Sequence, residues 1–187
     1  MDIRAGANAS MPVYLIGPSC AGKSTHAKDV VAEWKKVTEC PNLAYVDLDA
    51  EIRTKNCALF CQPVGRWDAF WTVAENCIEE VKQRSVGIKL IDCGAGCLQT
   101  PQALEFFQSQ RYVIALVADP RVLFERAKVT RGWKCVQDYI NSEFSTCRQR
   151  FYNAAKFKVD VTELSPQGPV SIIYAILAGI KTKNGAK

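Results

Sequence analysis

The sequence lacks any long apolar segment. It contains no run of about 18 apolar residues, the minimum that would suggest a membrane-spanning helix. The first residues, MDIRAGANAS, also lack the apolar core of a secretory signal peptide. We therefore expect a cytoplasmic protein that has no membrane partner.

Histidine is nearly absent, since His26 is the only one, and it belongs to a predicted helix. Cysteine occurs nine times, an odd number that fits reduced thiols better than a disulfide framework. Two pairs, Cys57 with Cys61 and Cys93 with Cys97, have C-x-x-x-C spacing and invite a zinc interpretation. Structural zinc sites more often use C-x-x-C, so we favour cysteines that act as small buried hydrophobic residues.

A stripe of basic residues is also missing. The net charge of +5 is mild and the Lys and Arg residues are scattered, so nucleic acid is not an expected partner. With 187 residues, 48% hydrophobic and 23% charged, the chain suits one globular domain over 1–187, with flexible ends at 1–11 and 181–187. We expect a monomer, although the apolar segment VSIIYAILAGI (170–180) fits either a core or an interface.

The segment GPSCAGKS, residues 17–24, directly follows the apolar run VYLI. It has the G-x-x-x-x-G-K-[ST] spacing of a phosphate-binding loop, whose glycines let backbone N–H groups turn around an anion. Lys23 would reach the β and γ phosphates of ATP, and the Ser24 hydroxyl would bind Mg²⁺. The predicted ATP-binding residues of this loop are Gly17, Ala21, Gly22, Lys23, Ser24 and Thr25.

Carboxylates follow two further apolar runs. In VDLDAEI, Asp47 and Asp49 would face the same side of an extended segment, where they could hold Mg²⁺ through water and accept a proton from a hydroxyl. The alternative is a helix cap at Asp49 with a solvated Asp47. In LIDCGAGC, Asp92 closes a strand and would support Mg²⁺, while Gly94 and Gly96 would leave N–H groups open to a substrate or form an ordinary turn.

A group of basic residues surrounds a predicted lid at about 130–138, between two helical segments. A lid guanidinium can stabilise the negative charge that spreads over a transferred phosphoryl group. Any single one of these residues is more often part of a solvated face. The group comprises Arg126, Arg131, Lys134, Arg148 and Arg150.

Apolar runs alternate with helical patterns along the whole chain, which predicts an α/β fold with a parallel sheet covered by helices on both faces. Three pairs of a capping residue and a proline mark helix starts, namely Thr100–Pro101, Asp119–Pro120 and Ser165–Pro166. Residues 57–66 show no period and predict an irregular excursion. The candidate strands are Val13–Ile16, Leu43–Val46, Ile88–Ile91, Tyr112–Ala118 and Phe157–Val161.

The segments IGPSCAGKST and DLDAEI, a G-x-G turn and Arg148-x-x-x-Tyr152 together resemble the shikimate kinase family of small P-loop kinases, over about residues 12–180. The resemblance implies a P-loop NTPase fold of three layers, with a five-stranded parallel sheet in the order 2-3-1-4-5 and a lid. It also implies a cytoplasmic small-molecule kinase that uses ATP and Mg²⁺ and binds its substrate through about residues 47–85. The product would be shikimate 3-phosphate, made for aromatic amino acid biosynthesis.

The resemblance also implies a role for each matching residue. Catalysis would use Lys23, Asp49 as base and Arg131 from the lid. Arg126 would lie along the adenine, and Mg²⁺ would be held by Ser24 and Asp47, to which the strand-end position adds Asp92. The substrate would contact Asp49, Gly94, Gly96 and, through its carboxylate, Arg148.

One departure from the family pattern concerns the acceptor side; the others are Asp92 before the glycine turn and a shorter lid. Phe70-Trp71 stands where the family has a Phe-Arg pair whose arginine binds the carboxylate, and Arg66 lies five residues before Trp71. The indole of Trp71 is either an apolar stacking surface for a different acceptor or a core aromatic of its helix. Shikimate remains the leading acceptor. The alternatives are gluconate, a nucleoside monophosphate, or an inactive nucleotide-binding protein with a regulatory role.

Overall fold

The computed structural model describes residues 10–37, 42–56, 66–84, 87–162 and 167–185. Five strands and eight α-helices occur in this part of the chain. The strands are β1 (Ser10–Ile16), β2 (Leu43–Asp47), β3 (Gly87–Asp92), β4 (Val113–Val117) and β5 (Phe157–Asp160). The helices are α1 (Lys23–Trp34), α2 (Leu48–Lys55), α3 (Trp67–Gln83), α4 (Pro101–Ser109), α5 (Pro120–Arg131), α6 (Val136–Glu143), α7 (Thr146–Ala154) and α8 (Gln167–Gly185).

The five strands form one parallel sheet in the order β2-β3-β1-β4-β5. This confirms the predicted order 2-3-1-4-5. Because all strands run the same way, the segments that follow β1, β2 and β3 meet at one edge of the sheet, where open α/β sheets bind their ligands.

The central strand β1 is apolar on both faces, which explains why its sequence is a continuous apolar run. Val13 and Leu15 belong to one core, together with residues of α1 and α8. Tyr14 and Ile16 belong to the other core, together with residues of α3 and α4. The side-chain period of two along a strand therefore sends alternate residues into two cores, and the fold has three layers.

Helix starts agree with the capping residues of the sequence. Thr100 accepts a hydrogen bond from the N–H of Ala103 at 3.2 Å, and Asp119 accepts one from Arg121 at 2.7 Å. Pro101 and Pro120 each begin a helix, as predicted. The third predicted start, Ser165–Pro166, lies outside the described residues, as do residues 57–65 with Cys57 and Cys61.

Helix α8 contains the apolar segment 170–180, for which the sequence left a core and an interface open. It packs against α1, where the rings of Trp34 and Tyr174 lie 5.0 Å apart. Its buried residues are Val170, Ile173, Leu177 and Ile180, so this face of the helix is core. No helix in the described ranges has the length and apolar character needed to cross a membrane.

The hydroxyl of Tyr14 is buried in the core without a hydrogen-bond partner among the described residues. Its ring is surrounded by Phe106 and Phe107, and burial raises the pKa of the hydroxyl. Since an unsatisfied buried polar group costs free energy, we expect Tyr14→Phe to raise the free energy of unfolding by about 1 kcal/mol. Denaturant unfolding measures this change.

The matched control is Tyr139→Phe. The Tyr139 hydroxyl is satisfied, because it donates to the Ser19 carbonyl at 2.7 Å, so its removal should lower the free energy of unfolding by about 1 kcal/mol. An equal decrease in the free energy of unfolding of both variants would contradict the conclusion that the Tyr14 hydroxyl destabilises the fold.

Candidate functional site

A cleft of about 780 Å³ opens at the carboxyl ends of β1, β2 and β3. It is bounded by the predicted phosphate loop, by the beginning of α2, by the turn after β3 and by the end of α5. The predicted site residues that line it are Gly22, Lys23, Ser24, Thr25, Asp47, Asp49, Asp92, Gly94, Gly96, Arg126 and Arg131. The structure therefore brings together most of the residues that the sequence singled out, from four separate segments.

The loop between β1 and α1 has the conformation that its glycines permit. Gly22 has φ 80° and immediately precedes α1, so the loop turns directly into the helix N-terminus, where free N–H groups attract anions. The Lys23 ammonium donates to the carbonyls of Gly17 at 3.0 Å and Pro18 at 3.2 Å. Ala21 is fully buried and, like Gly17, does not line the cleft.

Asp47 and Asp49 are not part of one extended segment, and that expectation is wrong. Asp47 ends β2 and is the N-cap of α2, where its Oδ1 accepts from the Ala50 N–H at 3.0 Å. Asp49 lies in the first helical turn. The cap is thus Asp47 rather than Asp49, and the helix starts within the motif because Asp47 satisfies one of its first N–H groups. Both carboxylates still line the cleft.

The carboxylate of Asp49 lies directly against Gly94. A Cβ on Gly94 would clash with both carboxylate oxygens, so the glycine allows Asp49 to keep this position. The Oδ1 atom of Asp49 is buried and has no hydrogen-bond partner among the described residues. Burial, reinforced by the charges of Asp47 and Asp92, raises the pKa of Asp49. The site therefore offers an unsatisfied acceptor that favours taking up a proton.

Asp92 is buried and bonded to the phosphate loop. The Ser24 hydroxyl donates to Asp92 Oδ2 at 2.6 Å, and the Tyr45 hydroxyl lies 3.5 Å from the same oxygen. Burial raises the pKa of Asp92, whereas the Lys23 charge and the Ser24 hydrogen bond lower it in part. Burial also raises the pKa of Tyr45 to about 12, so this hydroxyl stays protonated.

The oxygen donors of the cleft suit a hard divalent cation such as Mg²⁺. They comprise the Ser24 hydroxyl and the carboxylates of Asp47, Asp49 and Asp92. The Oδ1 of Asp49 is the oxygen without a hydrogen-bond partner among the described residues. In the described ranges, no three His, Cys, Asp or Glu side chains lie close enough to hold a metal by themselves. The residues thus fit a Mg²⁺ ion that takes part of its coordination from phosphate and water, as Mg²⁺ usually does.

Two arginines of α5 reach the cleft. Arg126 is tied to the segment after β5, since its Nη2 donates to the carbonyls of Val161 at 3.0 Å and Thr162 at 3.3 Å. Arg131 is exposed at the last residue of α5. The non-helical part of the predicted lid is short, because α5 ends at Arg131 and α6 begins at Val136.

Three residues of the predicted acceptor side do not line the cleft. Arg148 is 7% exposed and pairs with Glu143, Nη1 to Oε1, at 2.7 Å. Trp71 is 5% exposed and packs against Phe106 and Phe107, so it is the core aromatic of the two options that the sequence left open. Arg66, the N-cap residue of α3, also lies outside the residues that line the cleft.

Sequence reasoning missed Arg53, which lines the cleft from α2. Asp49 and Arg53 are four residues apart on one helix and therefore share a face. The Arg53 charge lowers the pKa of Asp49 in part. The signal was present in the spacing, but it becomes visible only once the segment is taken as a helix.

Cys93, which directly follows β3, and Cys97, in the turn after it, are both buried. Burial raises the pKa values of both thiols well above their ordinary range. They pack in the apolar core that also contains Ile91 and Leu98.

Solved structures with the same fold include small-molecule kinases. The shikimate kinase of Bacteroides thetaiotaomicron matches with a TM-score of 0.67 and 20% identity, covering 90% of this chain and 98% of that one. The shikimate kinase of Aquifex aeolicus gives 0.65 and 21%, with coverages of 91% and 98%. A gluconokinase of Sinorhizobium meliloti gives 0.63 and 14%, with coverages of 92% and 97%. At these identities the likeness shows the fold.

A search among curated proteins finds no significant match. The shikimate kinase family model, in contrast, matches residues 19–178, which include most of the phosphate loop, both aspartate motifs, the glycine turn and the arginines of α5 and α7. This chain therefore belongs to the shikimate kinase family.

Proposed function

We propose that this protein transfers the γ-phosphoryl group of ATP to a hydroxyl of a small hydroxy acid, with shikimate as the first acceptor to test. One observation carries the proposal: Asp49, whose carboxylate has a buried Oδ1 without a hydrogen-bond partner among the described residues, lines the same cleft as Lys23 and Ser24 of the phosphate loop. A proton acceptor and a triphosphate-binding loop in one cleft are the two parts that such a transfer needs.

The donor side would be built by the phosphate loop. The triphosphate would lie along residues 17–25, with the Lys23 ammonium leaving the loop carbonyls for the β and γ phosphates. Arg126 would lie at the adenine, and Arg131 would close over the transferred group. Mg²⁺, held by Ser24 with Asp92 and Asp47, would neutralise charge on the β and γ phosphates.

On the acceptor side, the substrate hydroxyl would donate a hydrogen bond to Asp49. The backbone of Gly94 and Gly96 would lie against the ring of shikimate. The hydroxyl oxygen would form a bond to the γ phosphorus, the bond from that phosphorus to the bridging oxygen would break, and ADP would leave. The hydroxyl proton would pass to Asp49, whose raised pKa favours this step.

The acceptor carboxylate needs a cation. Arg148, which the resemblance assigns to it, would have to leave its buried pair with Glu143. Arg53 already lines the cleft on the helix that carries Asp49. We therefore propose Arg53 as the first cation to test at the acceptor.

The test measures ADP release by purified protein with ATP and Mg²⁺, in the presence of shikimate, gluconate or a nucleoside monophosphate. We expect shikimate to raise the rate well above that without acceptor. Arg53→Ala should raise the KM for the acceptor about tenfold, since the loss of one charged contact costs about 1.4 kcal/mol, and leave the KM for ATP unchanged.

Gluconate is the second candidate, because a gluconokinase shares the fold. If only gluconate raises the rate of ADP release, the acceptor is gluconate rather than shikimate, and the proposed kinase activity stands. ATP binding without stimulation by any acceptor would contradict the proposed transfer and favour a nucleotide-binding protein with a regulatory role.

A further inference from the structure

Both backbone polar groups of Ser19, the third residue of the phosphate loop, are bonded to helix α6. The Ser19 N–H donates to Glu143 Oε2 at 2.7 Å, and the Tyr139 hydroxyl donates to the Ser19 carbonyl at 2.7 Å. Tyr139 and Glu143 are four residues apart and so lie on one face of α6. The next loop residue, Cys20, has φ 66°, a conformation that side chains with a Cβ rarely adopt. The surroundings thus hold this part of the loop in place.

Glu143 is 5% exposed, and a buried carboxylate needs a counter-charge. Its other oxygen pairs with Arg148, which is also buried. Arg148 in turn donates from Nε and Nη2 to the side-chain oxygen of Gln99, at 2.9 and 2.6 Å, when the Gln99 amide is oriented with its oxygen toward the guanidinium. Gln99 closely follows the glycine turn of the acceptor side. A continuous chain of polar contacts therefore runs from Gln99 through Arg148 and Glu143 to Ser19 of the phosphate loop.

This arrangement serves a loop that must bind a triphosphate. An isolated carboxylate beside the loop would repel the phosphates, whereas one that is neutralised by Arg148 can accept a loop N–H without that penalty. Arg148 forms an ion pair with Glu143 and does not line the cleft.

We propose that Glu143 is a positioning residue for nucleotide binding: it fixes the Ser19 N–H of the phosphate loop, and Arg148 acts through it as the buried counter-ion. The inference deepens the proposed function, since it rests on the loop being the nucleotide site. It does not depend on the identity of the acceptor.

Single variants of Glu143 would leave Arg148 as an unpaired buried charge and could unfold the protein. Two double variants avoid this problem. Glu143→Gln with Arg148→Met removes both charges and keeps an oxygen that can accept from the Ser19 N–H. Glu143→Leu with Arg148→Met also removes both charges, but it offers no acceptor. The two differ chiefly in the hydrogen bond to Ser19.

The measurement is the Kd for ADP, by calorimetry, with thermal unfolding of both variants as the check on folding. We expect the Gln variant to bind ADP within about twofold of the original protein and the Leu variant about tenfold more weakly, the loss of one hydrogen bond. Equal ADP affinities in two folded variants would overturn the proposal and make Glu143 a purely structural residue. If the Leu variant alone fails to fold, Glu143→Ser with Arg148→Met takes its place, since the shorter side chain withdraws the acceptor.

This result is independent of the acceptor assay. Intact ADP binding together with failure of every acceptor would contradict the proposed transfer only. Equal ADP affinity in the two double variants would contradict the role of Glu143 only.

Discussion

Replacing Lys23 with methionine is expected to lower the rate of phosphoryl transfer by about 10²–10³-fold. Lys23 is the one charged residue of segment 17–25. Its ammonium would contact the β and γ phosphates, and removing a single preorganised charge or donor costs about 10²–10³-fold. Methionine retains much of the apolar stem, so the fold should persist. The measurement is the rate of ADP release at saturating ATP with the best acceptor.

The matched control is Lys28→Met. Lys28 is an exposed lysine on the same helix, and its ammonium lies over the ring of Tyr45 rather than in the cleft. We expect this variant to keep the original rate. If Lys23→Met retains most of the activity, the loop is not the site of transfer, whatever acceptor is used.

The fold followed from patterns that are local in the sequence. Apolar runs followed by capping residues gave five strands and the starts of α4 and α5, because a capped helix after a buried strand satisfies both burial and hydrogen bonding. The strand order came from the family resemblance, since alternation alone does not determine which strands are neighbours. The start of β1 at Ser10 rather than Val13 shows that pairing with β3 extends a strand beyond its apolar residues.

The residues that line the cleft were predictable where a short motif contains them. Gly22, Lys23 and Ser24 needed only their spacing, and Asp92 needed only its position at the end of a strand. The start of α2 was missed because Asp47 and Asp49 are both good capping residues, and the choice between them depends on how β2 ends.

Contacts between segments that are far apart in the sequence could not be predicted from sequence patterns. The bond from Ser19 to Glu143 joins residues 124 positions apart and exists only because α6 docks on the phosphate loop. Arg148 illustrates the converse. An arginine that binds a substrate and one that neutralises a buried glutamate have the same local sequence, so its placement against Glu143 required the tertiary structure.

Replacing Asp49 with asparagine is expected to have opposite effects on activity and stability. An amide cannot take the hydroxyl proton, so the rate of transfer should fall by about 10²–10⁴-fold, as for loss of a general base. The free energy of unfolding at neutral pH should rise. The pKa of Asp49 is raised in the folded protein, chiefly by burial, so ionisation at neutral pH costs stability that asparagine does not lose.

The sign of the pH dependence follows from the direction of that shift. Between the ordinary pKa of aspartate and the raised value in the folded state, the folded protein holds a proton that the unfolded chain has released. The contribution of Asp49 to stability therefore falls as pH rises through this window. The advantage of Asp49→Asn should be largest above the raised pKa and disappear below the ordinary range of aspartate, where both states are protonated.

Denaturant unfolding of Asp49→Asn and the original protein, at neutral pH and below the ordinary aspartate range, tests this expectation without nucleotide or metal. Asp68→Asn is the control, because Asp68 is an exposed aspartate in the first turn of α3, as Asp49 is in the first turn of α2. It shares the favourable position at a helix N-terminus but not the burial. If the free energy of unfolding rises in both variants, the cause is the change from Asp to Asn itself rather than the burial of Asp49. A loss in Asp49→Asn at neutral pH would mean that the cleft already stabilises the charged carboxylate and would remove the argument for Asp49 as a base.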